Sequence, residues 1–353
     1  MKLFTVGPVE MSKEICSVGG EQLPYFRTQE FSEIMLDIKK RYLELVDAEE
    51  DSYFIPLTAS GTGAMEASVM NVLDKKDKVL VISGGSFGKR FEEICACHEI
   101  PYESLVLPFG TVLEEEMLLP YENRGFTALL VNIHETSIGQ LYDIKMLGDF
   151  CSKNGMHFIV DAISSFLADP LSMKEHHIDV LITSSQKALA LAPGMSFVVV
   201  SSDVWKKCIE KKEKKCLYFD FQDHAKNMER GQTPFTPAVG IILQLSERLK
   251  ELDKIGLEKI IDLHAGRAAY FRQKCDENGI KVMQYPKSNA LTPLYFPDRN
   301  AKDIFNKLKD KYGLMLTPNG GELSDVLLRV GHLGNLQYED YDRVINALKE
   351  ELK

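Results

Sequence analysis

Several things are scarce in this chain of 353 residues, and each absence excludes something. No apolar run approaches the roughly 20 residues a membrane-spanning helix needs, so no membrane span is expected. There is no excess of positive charge. Lysine and arginine total 42 against 52 aspartates and glutamates, a net charge of −10, which argues against a nucleic acid or an anionic membrane as partner. There is no cysteine framework either. The seven cysteines, at 16, 95, 97, 151, 208, 216 and 275, are odd in number, scattered and without a CxxC, so reduced thiols in a cytoplasmic protein are expected. The eight histidines form no HExxH-like pattern and Cys95-Ala-Cys97 is too tight for zinc, so no metal site is expected. The opening Met1-Lys-Leu-Phe-Thr-Val-Gly-Pro lacks the apolar core of a secretory signal. The basic run from Lys206 to Lys215 reads as a solvated helix face or loop.

What is present is a rhythm of strands and helices. Short β-branched runs at 53–58, 78–83, 127–133, 156–161, 180–183 and 196–201 alternate with amphipathic segments such as 144–154. This predicts an α/β fold with a mostly parallel, doubly wound sheet of about seven strands sandwiched by helices. After residue 205 the rhythm loosens. Two long helices, near 238–252 and 257–278, lead to a different alternation: strands at 280–284, 291–296 and 326–330, helices at 301–312 and 338–352. The expected division is a large domain at 16–249 and a small α+β domain at 250–353 completed by residues 1–15.

In open α/β sheets the ligand crevice lies outside the carboxyl ends of the strands. Ser60, Phe87, Glu135, Thr136, Asp161 and Lys187 all fall at such ends. Ser60-Gly61-Thr62-Gly63 opens a helix and offers free N–H groups and hydroxyls, a phosphate cradle, although the glycine spacing does not fit a dinucleotide fingerprint. Lys187 follows the strand 180–183 and precedes an Ala/Leu segment closed by Pro193-Gly194. Poor hydration there disfavours the ammonium form, and a neutral amine can attack an aldehyde. Asp161 ends an apolar strand 26 residues earlier. It serves either as a helix N-cap or as partner to a protonated ring nitrogen, a carboxylate use that turns a heterocycle into an electron sink. Phe87, in a glycine-rich turn, can stack on a flat ring or belong to the core. Gln186 can donate to a phosphate or cap a turn. Arg329, inside the apolar Leu327-Leu-Arg-Val-Gly, suits a substrate carboxylate or an internal salt bridge. Arg27 and Glu30 are spaced to pair on one helix face.

Taken in order, the motifs Gly7-Pro8, Phe26-Arg-Thr-Gln-Glu30-Phe, Ser60-Gly-Thr, Gly85-Ser-Phe-Gly-Lys-Arg90, His134-Glu-Thr-Ser137, Val160-Asp-Ala-Ile-Ser-Ser165, Ser185-Gln-Lys187, Thr233-Pro-Phe-Thr-Pro and Arg329-Val-Gly-His-Leu-Gly span nearly the whole chain. As a set they resemble class V aminotransferases of fold type I, which depend on pyridoxal 5′-phosphate (PLP). The similarity is to the alanine–glyoxylate/serine–pyruvate and 2-aminoethylphosphonate–pyruvate branch. The resemblance implies that Lys187 carries the cofactor as a Schiff base and that Asp161 pairs with the pyridine nitrogen. It further implies that Phe87 stacks on the ring, where relatives often have Trp or Tyr, and that Ser60, Gly61, Thr62 and Gln186 hold the phosphate. Thr136 would lie near the ring hydroxyl and Arg329, with Gly7 beside it, would meet the substrate. Thr233 and Thr236 would reach the cofactor of a neighbouring subunit, giving a homodimer with shared active sites. The activity implied is ping-pong transfer of an amino group from a small amino acid of the alanine or serine type to a 2-oxo acid such as glyoxylate or pyruvate. A phosphonate donor is the alternative. A class V lyase or desulfurase is a further one, disfavoured because Gln186 and Phe87 stand where desulfurases usually carry histidines and because Cys275 falls in a helical stretch. An interaction protein that kept the fold is the last.

Overall fold

The computed structural model describes all residues from Met1 to Lys353. Its centre is a seven-stranded sheet: β1 (Tyr53–Leu57), β2 (Val79–Ser83), β3 (Tyr102–Val106), β4 (Ala128–Asn132), β5 (His157–Asp161), β6 (Val180–Ser184) and β7 (Ser196–Val200), in the spatial order β1-β7-β6-β5-β4-β2-β3. All neighbours run parallel except β7, which is antiparallel to both β1 and β6. The central strands read as unbroken apolar runs because both faces are covered. One face packs in a cluster with Leu80, Leu129, Phe158, Leu181 and Phe197, the other with Val81, Leu130, Ile159, Ile182 and Val198. These residues alternate between faces, as the two-residue period of a strand requires.

The strand β3 was not expected from the sequence. Tyr-Glu-Ser-Leu-Val is only partly buried, pairs on one side alone, and carries a glutamate at its second position. That is how a sheet edge is kept soluble, and it erases the apolar signature of a strand. One other expectation is corrected. The segment 280–284 makes only an isolated bridge, Val282 with Leu294, and is not a strand. Near the N-terminus a short strand, Lys2–Leu3, pairs with Leu314–Met315.

Beyond the sheet, the helix Val239–Ile255 leads through Gly256 to the 21-residue helix Leu257–Glu277. The C-terminal residues form a three-stranded antiparallel sheet in which Leu327–Gly331 lies between Leu291–Tyr295 and Thr317–Pro318. A separate apolar cluster of Phe4, Phe271, Leu294, Val330, Tyr341 and Val344 holds this part together. Residue 4 therefore packs with the C-terminal third of the chain.

Candidate active site

The carboxyl ends of β4, β5 and β6 meet the C-terminal sheet at one cleft. Asp161 closes β5 and is fully buried. Its Oδ1 accepts the N–H of Ile163 at 2.8 Å, and its Oδ2 accepts the side-chain amide of Asn132, at the end of β4, at 2.7 Å. Burial nevertheless dominates and pushes its carboxyl up to about 6, with Lys187 pulling the other way. Both sequence readings of Asp161 thus meet in one residue: it caps the turn after β5 and presents a buried, cation-seeking carboxylate.

Lys187 lies in the turn after β6. The residue as a whole is half-buried, but its amine sits deep enough for burial to lower its pKa to about 8. Asp161 opposes that shift and Arg329 adds to it, so the three charges share one site. Gly7 presses on the lysine from the N-terminal segment. Its φ is +148°, and a Cβ there would lie 2.5 Å from Lys187 Cδ and 3.0 Å from Nζ. Only glycine leaves that stem its path.

The glycine-rich turn before the helix Gly88–Cys97 is held by Glu135. This buried glutamate accepts the N–H groups of Phe87 and Gly88, at 3.3 and 2.9 Å, and the Ser137 hydroxyl. Phe87 is half-buried, and the Arg90 guanidinium lies 5.1 Å from its ring centre. Arg90 Nη1 also donates to Thr62 Oγ1 at 3.0 Å, joining this turn to the cradle turn. There Ser60 caps the helix Gly61–Val72 by accepting from Gly63 N, and Gly61 abuts Ile163, where a Cβ would come within 2.3 Å of that side chain. Helix start, Asp161 turn and Phe87 turn therefore pack directly against one another.

Thr136 shares a 2.6 Å hydrogen bond with Ser164, which contacts His134 Nδ1 at 2.9 Å. Burial first, and then the Lys187 charge, hold His134 down to about 3, so it is neutral, and its Nε2 has no partner. Arg329 is buried. It donates to the carbonyls of Thr136 (2.9 Å) and Pro318 (2.7 Å) with its terminal nitrogens and leaves Nε unpartnered. No internal salt bridge forms, contrary to that reading of the sequence; burial pulls its pKa to about 10.

Three further expected contributors are engaged within the chain. Gln186 turns its carbonyl to the Ser184 hydroxyl, 2.6 Å away. Thr233 donates to the carbonyl of Phe235 within its own loop, and Thr236 is exposed. Arg27 does not pair with Glu30. It donates instead to Gln232 Oε1 and to the carbonyls of Thr233 and Pro234, clamping that loop, because three converging acceptors outweigh one exposed carboxylate. Asn132, Ser164 and the clamping role of Glu135 were not singled out from the sequence. Their signal was position alone, at or just beyond strand ends.

The chain matches the family model of class-V aminotransferases over residues 23–334 and belongs to that family. It is an enzyme of the transaminase type. It is 29% identical to an uncharacterized aminotransferase of Helicobacter pylori over 99% of this chain and 93% of that one. It is 27% identical to a 2-aminoethylphosphonate–pyruvate transaminase of Phocaeicola vulgatus, covering 99% of both. Among solved structures, an aspartate aminotransferase of subgroup IV from Thermus thermophilus superposes with a TM-score of 0.91 at 26% identity, over 100% of this chain and 99% of that one.

Proposed function

We propose that the enzyme uses PLP to move an amino group from a small amino acid to a 2-oxo acid, with Lys187 as the attachment point. The observation that carries this is the pairing of a buried carboxylate at the end of β5 with an amine of lowered pKa after β6, each biasing the other's charge. The residues fit the cofactor: Asp161 lacks a cation in contact with it, Gly7 leaves the lysine stem its path, and the start of the helix Gly61–Val72 presents N–H groups beside the hydroxyls of Ser60 and Thr62. When bound, PLP supplies an electron sink for the pair left on the donor's Cα.

In this reading Asp161 would face the ring nitrogen and favour its protonated form. Asn132 and Ile163 N fix the direction of its carboxylate. Phe87 would stack on the ring, and Gly61, Thr62 and Ser60 would hold the phosphate with Gln186. Thr136 orients the ring oxygen. The amine of Lys187, lowered to about 8, is a base near neutral pH and would be the group that takes up and moves the proton of the donor's Cα. Arg329 receives the substrate carboxylate, with its carbonyl contacts setting the direction of the fork.

The proposal extends to a homodimer in which Thr233 and Thr236, on the loop clamped by Arg27, serve the partner's cofactor, and to the division into 16–249 and 250–353 with 1–15. The cytoplasm is the proposed location; no helix is long and apolar enough to cross a membrane. Similarity to the Phocaeicola vulgatus 2-aminoethylphosphonate–pyruvate transaminase favours an alternative donor, an aminophosphonate. Spectra of the PLP-loaded enzyme titrated with alanine, serine, aspartate and 2-aminoethylphosphonate test both. A carboxylate donor that converts the cofactor supports the first reading. Conversion by the phosphonate alone selects the second, and no conversion by any donor with PLP bound overturns both.

A further inference from the structure

The strand β5 carries charge at both ends. Asp161 closes it inside the cleft, and His157 opens it at the opposite edge of the sheet, about 13 Å away at the rise of a strand. His157 is not idle there. Its Nδ1 lies 3.6 Å from Asp179 Oδ2, just before β6, and its Nε2 lies 3.4 Å from Cys208 Sγ. Asp179 is itself fixed by Phe158 N at 3.0 Å and Ser201 Oγ at 3.1 Å. Cys208 sits in a five-residue π-helical turn, Trp205–Ile209, where Glu210 N reaches back to Trp205 O; such turns interrupt helices most often at functional positions. The result is an aspartate–histidine–cysteine relay that transamination does not use.

We propose that Cys208, with His157 and Asp179, is a site of thiol–disulfide exchange with low-molecular-weight disulfides, separate from the cleft around Lys187. A thiol reacts as its thiolate, and a neighbouring imidazolium and lysines favour that form. Both kinds of support are present. Asp179 first, and then Cys208, raise His157 to about 10, so an imidazolium faces the sulfur. Lys207 and Lys212 lie close enough to feel the charge of Cys208. The charged groups facing the imidazole are Asp179, Asp203 and Cys208, the two carboxylates favouring imidazolium, with Lys207 tied to Asp203 at 2.8 Å. Cys208 is half-buried and so within reach of a small reagent, whereas burial pushes the thiols of Cys95 and Cys275 up to about 12 and that of Cys151 well above its ordinary value.

In the step itself, the Cys208 thiolate attacks one sulfur of the disulfide. A new S–S bond joins Cys208 to half of the reagent, the old S–S bond breaks, and the departing thiolate leaves with the electron pair and takes a proton from water. The Cys208 proton goes to water, and the His157 imidazolium, balanced by Asp179, faces the thiolate it leaves.

The test uses the PLP-loaded enzyme and 4,4′-dithiodipyridine, following the released thiopyridone and mapping the modified cysteine by peptide mass. Cys208 is expected to react first at pH 6, about tenfold faster than the exposed Cys16 and Cys97. His157→Gln is expected to bring Cys208 down to the reference rates, with amino transfer retained. A wild-type Cys208 no faster than Cys16 and Cys97 at pH 6 overturns the proposal whether or not the variant folds. So does a His157→Gln protein whose Cys208 keeps its rate.

Discussion

Asp161→Asn should make the cofactor-free protein more stable while disabling the enzyme. The carboxyl titrates near pH 6 when folded and near 3.8 when unfolded. Between those values the folded state binds more protons, so this group's contribution to stability falls as pH rises through the window and is fully lost above pH 6. At one pKa unit per 1.4 kcal/mol, the ionised carboxylate costs the fold about 3 kcal/mol at pH 7. An asparagine carries no such penalty. It keeps the acceptor for Ile163 N, and the side chain of Asn132, whose own Oδ1 has no partner, can turn over to accept from it. Urea unfolding of both proteins without PLP, at pH 4.5 and at pH 7, gives the readout. The variant's advantage should be small at the lower pH and grow to about 3 kcal/mol at the higher one, with amino transfer reduced by about 100-fold or more in the PLP-loaded form. An advantage that does not change with pH, or a variant less stable at both, would refute the picture of Asp161 as a carboxylate kept in place against its own desolvation.

Other consequences are open to equally direct measurement. Lys187→Ala should fold normally and bind PLP without the absorbance of a lysine-linked cofactor; an unchanged spectrum would exclude Lys187 as the attachment point. Gly7→Ala forces a methyl into the lysine stem and should lower kcat about 100-fold with a stability loss of only about 1–3 kcal/mol; kcat within about threefold of wild type would show that the stem has room to move. Arg329→Lys keeps a charge but loses the fork that meets two carbonyls. KM for carboxylate donors should rise about 10- to 100-fold, and an equal KM for all donors before and after would remove Arg329 from substrate binding.

Six of the seven central strands were legible because each is buried on both faces and reads as an apolar run. The edge strand Tyr102–Val106 was not, since it is only partly buried and carries a charged residue, Glu103. The reversed direction of β7 carried no mark either, as a buried strand looks alike in both directions. The same contrast holds in the cleft. Lys187 and Asp161 stand out as charged residues at the ends of apolar runs. Asn132, Ser164 and Glu135 matter through which atoms they face, and the facing partners lie as far as 48 residues away in the chain. Arg27 shows the limit most plainly. Spacing along a helix suggested Glu30, whereas the actual acceptors lie more than 200 residues downstream.

The helix Leu257–Glu277 is about 32 Å long at 1.5 Å per residue. Ile260, near its start, is embedded in the apolar cluster of the central sheet, while Phe271 and Cys275 are embedded in that of the C-terminal sheet. One rigid rod is thus rooted at either end in a different hydrophobic mass. A substitution at either root, Ile260 or Phe271, would therefore disturb how one mass is seated on the other without touching a residue of the cleft.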